Sequence, residues 1–351
     1  MTSLTRRLLP VVLVAAAVLI PADTAAAHGG TDVTSNYRTR IVDAPTSAGL
    51  SIAIVDIDGT VEVTWNGTGV VQIAGYENEP YLRIDSSGVY ENRRSPATYL
   101  NRDRYANVET PKNVDPAASP DWQLATRATT VRWHDHRTHW MSARPPLAVQ
   151  QDPGRRHVII EQWEIPVTVA GETGVVTGDL IWSPPPPLLL WVAMAIGIGM
   201  LSCWLLWSRW QRPVAATLGI IAAVALTVDT AGYVAVSTDT LANRIWAFIY
   251  AALATWAAGR LIVHALRRTP HPTLAMSAAG LIAALMGGVD RFDVLTNSEI
   301  YTALPPSASR AATTLCLGIG VALVVRFLVY LLALSTGQAE PAGTNPVLEA
   351  A

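Results

Sequence analysis

Cysteine and lysine are almost absent from this 351-residue sequence, and each absence excludes a kind of chemistry. The two cysteines, Cys203 and Cys316, lie in apolar runs of the second half, so the first half has no disulfide and no thiolate ligand or nucleophile. A segment of roughly 150 residues can bury enough core without a disulfide. The only lysine is Lys112, and residues 28–186 carry 19 acidic and 14 basic residues. This net charge of −5 argues against nucleic acid as a partner.

The sequence also lacks the short motifs of common enzyme classes. It has no G-x-S-x-G nucleophile turn, no phosphate-binding P-loop and no dinucleotide fingerprint. No arrangement of Ser, His and Asp has recognisable local signals. Nothing in the sequence requires an enzyme, and we predict no catalytic residues.

Residues 1–27 have the layout of a secretory signal peptide. Arg6 and Arg7 give a positive start, residues 8–20 form a short apolar stretch, and a run of small residues ends at Ala27. The apolar stretch is shorter than the ~20 residues of a spanning helix, which favours cleavage after Ala27 over an uncleaved signal anchor. The mature chain would then begin with His28, whose α-amine and imidazole can chelate a metal such as copper(II). The alternative is that His28 only starts a flexible tail.

Residues 28–183 are predicted to form an extracytoplasmic, all-β domain, either a small barrel or, as we prefer, a sandwich of the immunoglobulin-like kind. Asp58-Gly59 is a strong signal for a hairpin turn, and residues 171–174 separate the last two predicted strands. Between about residues 80 and 150 the pattern is irregular and interrupted by proline. Period-two and β-branched patterns predict strands at residues 50–55, 60–65, 70–76, 158–169 and 175–182.

The irregular region contains residues 91–105, a segment dense in Arg, Asn and Tyr. These side chains offer directed hydrogen bonds and planar guanidinium faces, which are suited to binding a ligand. We expect instead that the arginines pair with acidic neighbours and hold the segment in place.

Three of the seven histidines, His134, His136 and His139, lie within six residues of one another. If this segment is a strand, His134 and His136 point to the same side because side chains alternate, and His139 can join them after a turn. Three imidazoles are a typical ligand set for zinc or copper. We therefore predict a copper or zinc site at these three residues, with His28 as a further ligand. The alternative is that the rings form hydrogen bonds within a Trp-rich core.

Part of this pattern is similar to the H-x-H-x-D-H motif of metallo-β-lactamase-like hydrolases. Thr138 stands where that motif has aspartate, and the alternating helices and downstream ligands of that fold are not found. We therefore reject that reading.

The segments at residues 80–83, 88–101 and 133–136, which include ENRRSPATYLN and WHDH, resemble a group of exported actinobacterial membrane proteins. The resemblance implies this architecture and a cell-envelope location, and it supplies no reaction. A looser resemblance is to periplasmic copper-resistance β-sandwich proteins with a mature N-terminal histidine. It depends on the Ala27-His28 junction, the predicted sandwich and the helices that follow, and it implies a copper ligand at His28 alone.

A polyproline spacer at residues 184–187 precedes the apolar second half of the chain. Residues 188–334 are predicted to form an all-α transmembrane bundle, and residues 335–351 a disordered cytoplasmic tail. Each apolar segment is near the ~20 residues needed to span a bilayer, and the fourth is the shortest. The five segments are about 188–207, 214–236, 245–265, 273–290 and 311–334.

The charged loops predict the orientation of this bundle. Arg209 and Arg212 lie in the first loop, and Arg267 and Arg268 in the third. Positive loops face the cytoplasm, so the N-terminal domain is expected outside and the C-terminus in the cytoplasm. The protein is thus predicted to be a multi-pass plasma-membrane protein with the lipid bilayer as a partner.

Asp229 is an ionisable residue within the second apolar segment, and such residues are often functional. We expect it to pair with a polar neighbour such as Tyr233 in helix packing. Alternatively, together with Asp290 and Asp293, it marks a cation entrance.

Three hypotheses about function follow. The first is a membrane-anchored extracytoplasmic binding protein that takes copper or zinc for envelope metal handling or sensing. The second is a structural or protein-interaction module of the cell envelope, with a protein partner and no metal. The third is a component of a membrane transporter.

Overall fold

The computed structural model describes residues 34–236, 241–267 and 273–336. The predicted signal peptide at residues 1–27, His28 and most of the predicted tail lie outside the described residues. The chain folds into two compact units. Of the described residues, those up to Pro185 together with Asn297–Ile300 form the β unit, and those from Pro186 to Thr296 and from Tyr301 to Thr336 form the helical unit.

The β unit consists of antiparallel strands with two short helices, α1 (Ala97–Leu100) and α2 (Leu147–Gln151). Its strands are β1 (Thr34–Ser35), β2 (Tyr37–Asp43), β3 (Leu50–Ile54), β4 (Thr60–Trp65), β5 (Val71–Ala74), β6 (Pro80–Asp85), β7 (Gly88–Asn92), β8 (Trp122–Thr126), β9 (Thr130–His134), β10 (His157–Val169), β11 (Glu172–Trp182) and β12 (Glu299–Ile300).

These strands form two larger sheets and one small ribbon. The first sheet has the order β2-β11-β10-β5-β6-β7-β8, the second has the order β3-β4-β9, and β1 pairs with β12. Both larger sheets contribute to one hydrophobic core, which is compatible with the predicted sandwich. The immunoglobulin-like class stays a prediction. Core residues of the two sheets include Val61, Val63 and Trp133 from the smaller and Ile73, Ile84 and Ile165 from the larger.

The strand predictions with clear periodicity are confirmed. The predicted turn at Asp58-Gly59 joins β3 to β4, and Gly59 has a positive φ of 78° that suits glycine. The turn between β10 and β11 is shorter than predicted, because it consists of Ala170 and Gly171 alone. Both residues have positive φ, 50° and 94°, as a two-residue hairpin turn of type I′ requires.

The irregular region at residues 80–150 contains four strands, β6 to β9, that the sequence pattern did not predict. In β6 the side chains of Tyr81, Leu82 and Ile84 are buried, so burial does not alternate along the strand. In β8 most residues are exposed because this strand forms an edge of the sheet. A search for alternating apolar and polar residues finds neither a strand with consecutive buried residues nor an exposed edge strand.

The helical unit contains five α-helices among the described residues. They are α3 (Leu188–Leu206), α4 (Gln211–Val236), α5 (Leu241–Leu266), α6 (Thr273–Ile282) and α7 (Pro306–Ser335). Four helical segments are long and apolar enough to cross a membrane, namely Leu188–Leu206, Gln211–Val236, Arg244–Leu266 and Pro306–Ser335.

The fourth predicted span coincides with a shorter apolar helix, Leu274–Val289. Its second half is a π-helix, Ala283–Val289, in which the amide of Asp290 bonds the carbonyl of Leu285 at 2.8 Å. Its crossing of a membrane stays a prediction.

Glycines let α7 approach closely to α6 and to the π-helix that follows α6. A Cβ added to Gly320 would lie 2.5 Å from the backbone nitrogen of Ala284, and one added to Gly280 would lie 2.8 Å from the carbonyl oxygen of Gly320. Close helix contacts through small residues are typical of membrane-protein interiors.

Asp229 is buried in the helical unit, and its partner is Arg291 rather than the predicted Tyr233. The Nε of Arg291 donates a hydrogen bond of 3.0 Å to Oδ2 of Asp229. The ring of Tyr233 lies edge-on against that of Tyr301, with 6.4 Å between centroids. An ion pair of this kind neutralises a charge that is expensive in a membrane.

Candidate functional site

The predicted histidine cluster lies at the end of a strand and in the turn that follows. Strand β9 ends at His134, so side-chain alternation does not extend to His136. The turn is closed by the amide of Thr138, which bonds the carbonyl of Asp135 at 3.0 Å. The hydroxyl of Thr138 also donates to the carbonyl of Gly59 at 2.8 Å, which fastens the turn to the β3–β4 hairpin.

Asp135 is fully buried at the centre of this turn. Arg137 donates to both of its carboxylate oxygens, from Nε and from Nη2, each at 2.8 Å. The indole of Trp133 donates a further bond of 2.9 Å. Burial alone would raise the pKa of Asp135, but the hydrogen bonds and charge of Arg137 hold that pKa below its usual value. Asp135 is therefore an ionised structural anchor.

Tyr76 connects residues 91–101 with residues 133–136. Its hydroxyl donates to Oδ1 of Asn101 and accepts a hydrogen bond of 3.0 Å from the backbone amide of His136. Its ring stacks on the His136 ring, and the Arg137 guanidinium lies 5.0 Å from the Tyr76 centroid. Residues 91–101 and 133–136 thus meet in one partly buried hydrogen-bond network.

The three predicted metal ligands are not gathered into one donor set. Nδ1 of His134 lies 3.2 Å from the hydroxyl of Thr60, and Nε2 of His136 lies 2.9 Å from the carbonyl of Asp103. His136 and His139 are neighbours, with ring centroids 5.6 Å apart. Within residues 34–236, 241–267 and 273–336, no group of three or more His, Cys, Asp or Glu side chains is placed to hold a metal ion. His28 lies outside those residues, and the copper or zinc site stays a prediction.

His139 has the most distinctive chemistry of the three. It is buried, with 3% of its surface exposed, and Nδ1 lies 3.3 Å from the carbonyl of Trp140. That carbonyl can only accept, so the proton is assigned to Nδ1 and Nε2 carries a lone pair. Burial lowers the pKa of His139 to about 4, assisted by the nearby charge of Arg104. Nε2 has no hydrogen-bond partner among the described residues.

His139 lines a cavity of about 260 Å³ in the β unit. The ion pair between Arg104 and Asp58 also lines it. Trp140 and Trp182 provide aromatic surface. The cavity therefore combines hydrogen-bond donors and acceptors with the apolar faces of aromatic rings.

The expectation for the Arg- and Tyr-rich segment is confirmed at two positions. Arg102 lies 3.5 Å from Glu91, and Arg104 pairs with Asp58. The Arg102 guanidinium also lies over the ring of Tyr99 at 5.3 Å. These pairs hold the segment in place, and the second of them also forms part of the cavity wall.

Sequence reasoning singled out His139 and the Arg-rich segment but missed the rest of the cavity. The sequence marks Asp58 only as a turn residue. Asn36, Trp182 and Asn297 come from distant parts of the chain, and Asn36 bonds Asn297 at 3.0 Å. No local signal marks residues that come together only through the β2–β11 and β1–β12 pairings.

Comparisons with protein-family models, with curated proteins and with solved structures gave no match for this chain.

Proposed function

We propose that this protein is a multi-pass membrane protein whose β unit lies outside the cytoplasm and binds a small, uncharged, hydroxyl-rich ligand in the cavity at His139. The observation that carries the proposal is the buried, neutral His139, whose Nε2 has no partner among the described residues, in the wall of a polar cavity. An unpaired buried acceptor costs roughly 1–3 kcal/mol; Nε2 is closed off from solvent, so we propose that the ring turns toward the cavity and accepts a ligand hydroxyl, which removes that cost.

The membrane location is supported by the four long apolar helices. The outward orientation of the β unit is supported by the signal-like residues 1–27 and by the basic loops at Arg209, Arg212 and Arg267. With this orientation the C-terminus is cytoplasmic if the fourth apolar segment also spans.

The size and charge of the cavity support the ligand class. At about 260 Å³ it lies below the ~300–1,000 Å³ of pockets that hold drug-sized molecules, so the ligand is small. Arg104 and Asp58 neutralise each other, and His139 is uncharged. The cavity wall therefore has no net charge that would hold an ion. The tryptophan faces and the mixed donors and acceptors match a single sugar ring, which has apolar faces and a hydroxyl rim.

Calorimetric titration of the detergent-solubilised, full-length protein tests the proposal. The probes are glucose, galactose, arabinose and N-acetylglucosamine, with glycine and inorganic phosphate as comparisons. We expect at least one sugar to bind, and His139→Ala to weaken that binding about 3- to 10-fold, the worth of one hydrogen bond. His157→Ala is the matched control, because His157 bonds the Asp152 carbonyl at 2.8 Å and does not line the cavity. No sugar binding, or equal losses in both variants, would reject the proposal.

A second candidate is the predicted binding of copper or zinc. The specific observation in its favour is that a neutral imidazole with a free lone pair is the form that ligates metal, and His136 lies beside it. A mature N-terminus at His28 would add two nitrogens.

Metal analysis of the full-length protein separates the candidates. Copper or zinc retained by the wild type and lost in His136→Ala/His139→Ala favours the metal site. Equal, negligible metal in both proteins removes it, and a first residue other than His28 in N-terminal sequencing removes the contribution of that histidine.

A further inference from the structure

We propose that the helical unit has a binding site for the phosphate of an anionic phospholipid, built around Arg326 between α7 and the start of α4. The proposal is independent of the ligand of the β unit. It starts from a cation inside a membrane-spanning bundle whose charge no described carboxylate neutralises.

Arg326 is half-buried on α7, and its hydrogen bond and its ring contact are both with neutral side chains. Its Nη2 donates a hydrogen bond of 2.7 Å to the side-chain oxygen of Gln211, the first residue of α4. Its guanidinium lies 5.3 Å from the ring centroid of Trp207. Its Nε is buried and has no hydrogen-bond partner in the described part of the chain. A guanidinium held in this way still requires a counter-ion, because burying an unpaired charge is costly.

The contacts of Arg326 place it at one end of the bundle, where the aromatic residues mark a membrane boundary. Trp207 and Trp210 lie in the short connection between α3 and α4, and both are largely exposed. Arg209 lies over the ring of Trp210 at 5.3 Å. Exposed tryptophans at helix ends are characteristic of the level of the lipid headgroups.

This end of the helical unit is uniformly basic among the described residues. Arg209, Arg212 and Arg267 lie at or next to the helix ends. Residues 203–215, 260–267, 273–280 and 320–336 contain no aspartate and no glutamate. The acidic residues of the described helical unit, Asp229, Asp290 and Asp293, belong to the opposite end. A partner that neutralises Arg326 therefore has to be an anion from outside the described residues.

A phospholipid phosphate fits these constraints better than other anions. The planar guanidinium fork binds phosphate oxygens in two-point contacts. Acyl chains can lie against the exposed apolar faces of the helices, including Leu328 and Trp204. Basic pockets between transmembrane helices are known to recognise anionic headgroups. The occupant we propose is an anionic glycerophospholipid such as phosphatidylglycerol.

Native mass spectrometry of the full-length protein in detergent tests the site. The probes are phosphatidylglycerol and phosphatidylcholine of the same acyl composition, each added at equal concentration. We expect the wild type to retain phosphatidylglycerol at least about ten times more strongly than phosphatidylcholine. Arg326→Gln is expected to reduce that preference to about twofold or less. Arg260→Gln removes the same charge from an exposed position on α5 and is expected to leave the preference unchanged.

Three results would overturn the proposal. They are equal retention of the two lipids by the wild type, equal losses in Arg326→Gln and Arg260→Gln, and retention of added inorganic phosphate that matches the retention of phosphatidylglycerol. If Arg326→Gln does not fold, Arg209→Gln/Arg212→Gln changes only residues of the α3–α4 connection and the first turn of α4. That variant is expected to lower retention of phosphatidylglycerol several-fold, and unchanged retention would count against the site.

Discussion

Arg137 holds the fully buried carboxylate of Asp135 through two hydrogen bonds of 2.8 Å, and this pair fixes the turn on which the histidines lie. Arg137 also donates to the backbone carbonyls of Ala74 and Gly75 at 3.2 and 3.3 Å. The turn is thereby attached to the end of β5. The position of His139 in the cavity depends on this attachment.

Removing the buried carboxylate should therefore be costly. Asp135→Ala leaves the Arg137 charge buried without its partner, and we expect a loss of about 3–5 kcal/mol in the free energy of unfolding. This loss is measured by urea denaturation of the full-length protein in detergent, with tryptophan fluorescence as the probe of unfolding. Glu62→Ala is the control, because the Glu62–Arg132 pair is exposed and is worth at most about 1 kcal/mol. Similar losses in both variants would mean that the buried pair does not anchor the turn.

The depressed pKa of His139 predicts a pH dependence of stability. Its pKa is about 4 in the folded protein and near 6.5 when unfolded, so the unfolded chain binds more protons between these values. The free energy of unfolding therefore falls as the pH drops from 6.5 towards 4, by at most about 1.4 kcal/mol per pH unit from this residue. In His139→Gln that part of the slope is lost. Denaturation at several pH values compares the two proteins, and identical slopes would contradict the burial of a neutral imidazole.

The turn between β10 and β11 offers a stabilising substitution. Ala170 has a φ of 50°, which costs a residue with a Cβ about 1–2 kcal/mol, and glycine avoids that strain. We expect Ala170→Gly to raise the free energy of unfolding by up to about 1 kcal/mol. Ala53→Gly in the middle of β3 should have the opposite sign, with a loss of about 0.5–1 kcal/mol. Denaturation curves give the free energies of unfolding of both variants and of the wild type. Destabilisation by Ala170→Gly would argue against this turn geometry.

The glycine contact between α6 and α7 predicts a steric effect in the helical unit. Gly320→Ala places a Cβ 2.5 Å from the backbone of Ala284, and we expect a loss of about 1–3 kcal/mol from overpacking. Gly259→Ala on α5 is the control, because no atom lies within 4 Å of its added Cβ. Thermal unfolding can be followed with a thiol-reactive dye, since Cys203 and Cys316 are buried. A lower transition temperature is expected for Gly320→Ala alone.

The sequence predicted those parts of the fold in which one local rule operates. Apolar length predicted the four long helices, and β-branched alternation with Asp58-Gly59 predicted β3 and β4. The strands β6 to β9 were missed because their burial is set by tertiary neighbours, as at Leu82 and Trp133, rather than by alternation. The partner of Asp229 was missed for a related reason, because Arg291 lies 62 residues away in sequence.

The candidate site could be predicted only in part, because it too depends on residues that tertiary structure brings together. The spacing of His134, His136 and His139 drew attention to the segment, but a spacing argument assumes a strand, and the chain turns after His134. His139 differs from the other two because its surroundings bury it and leave Nε2 without a partner among the described residues. Those surroundings come from sheet pairings that no local pattern encodes.

The most direct measurement of the central claim is the ¹⁵N chemical shift of the His139 ring in full-length protein with labelled histidine. Without ligand, Nδ1 should carry the proton at neutral pH and Nε2 should not, and N-acetylglucosamine or another monosaccharide that binds should shift the Nε2 signal. The ring signals of His157 should stay unchanged. A proton on Nε2, or an Nε2 signal that none of the sugars moves, would contradict the account.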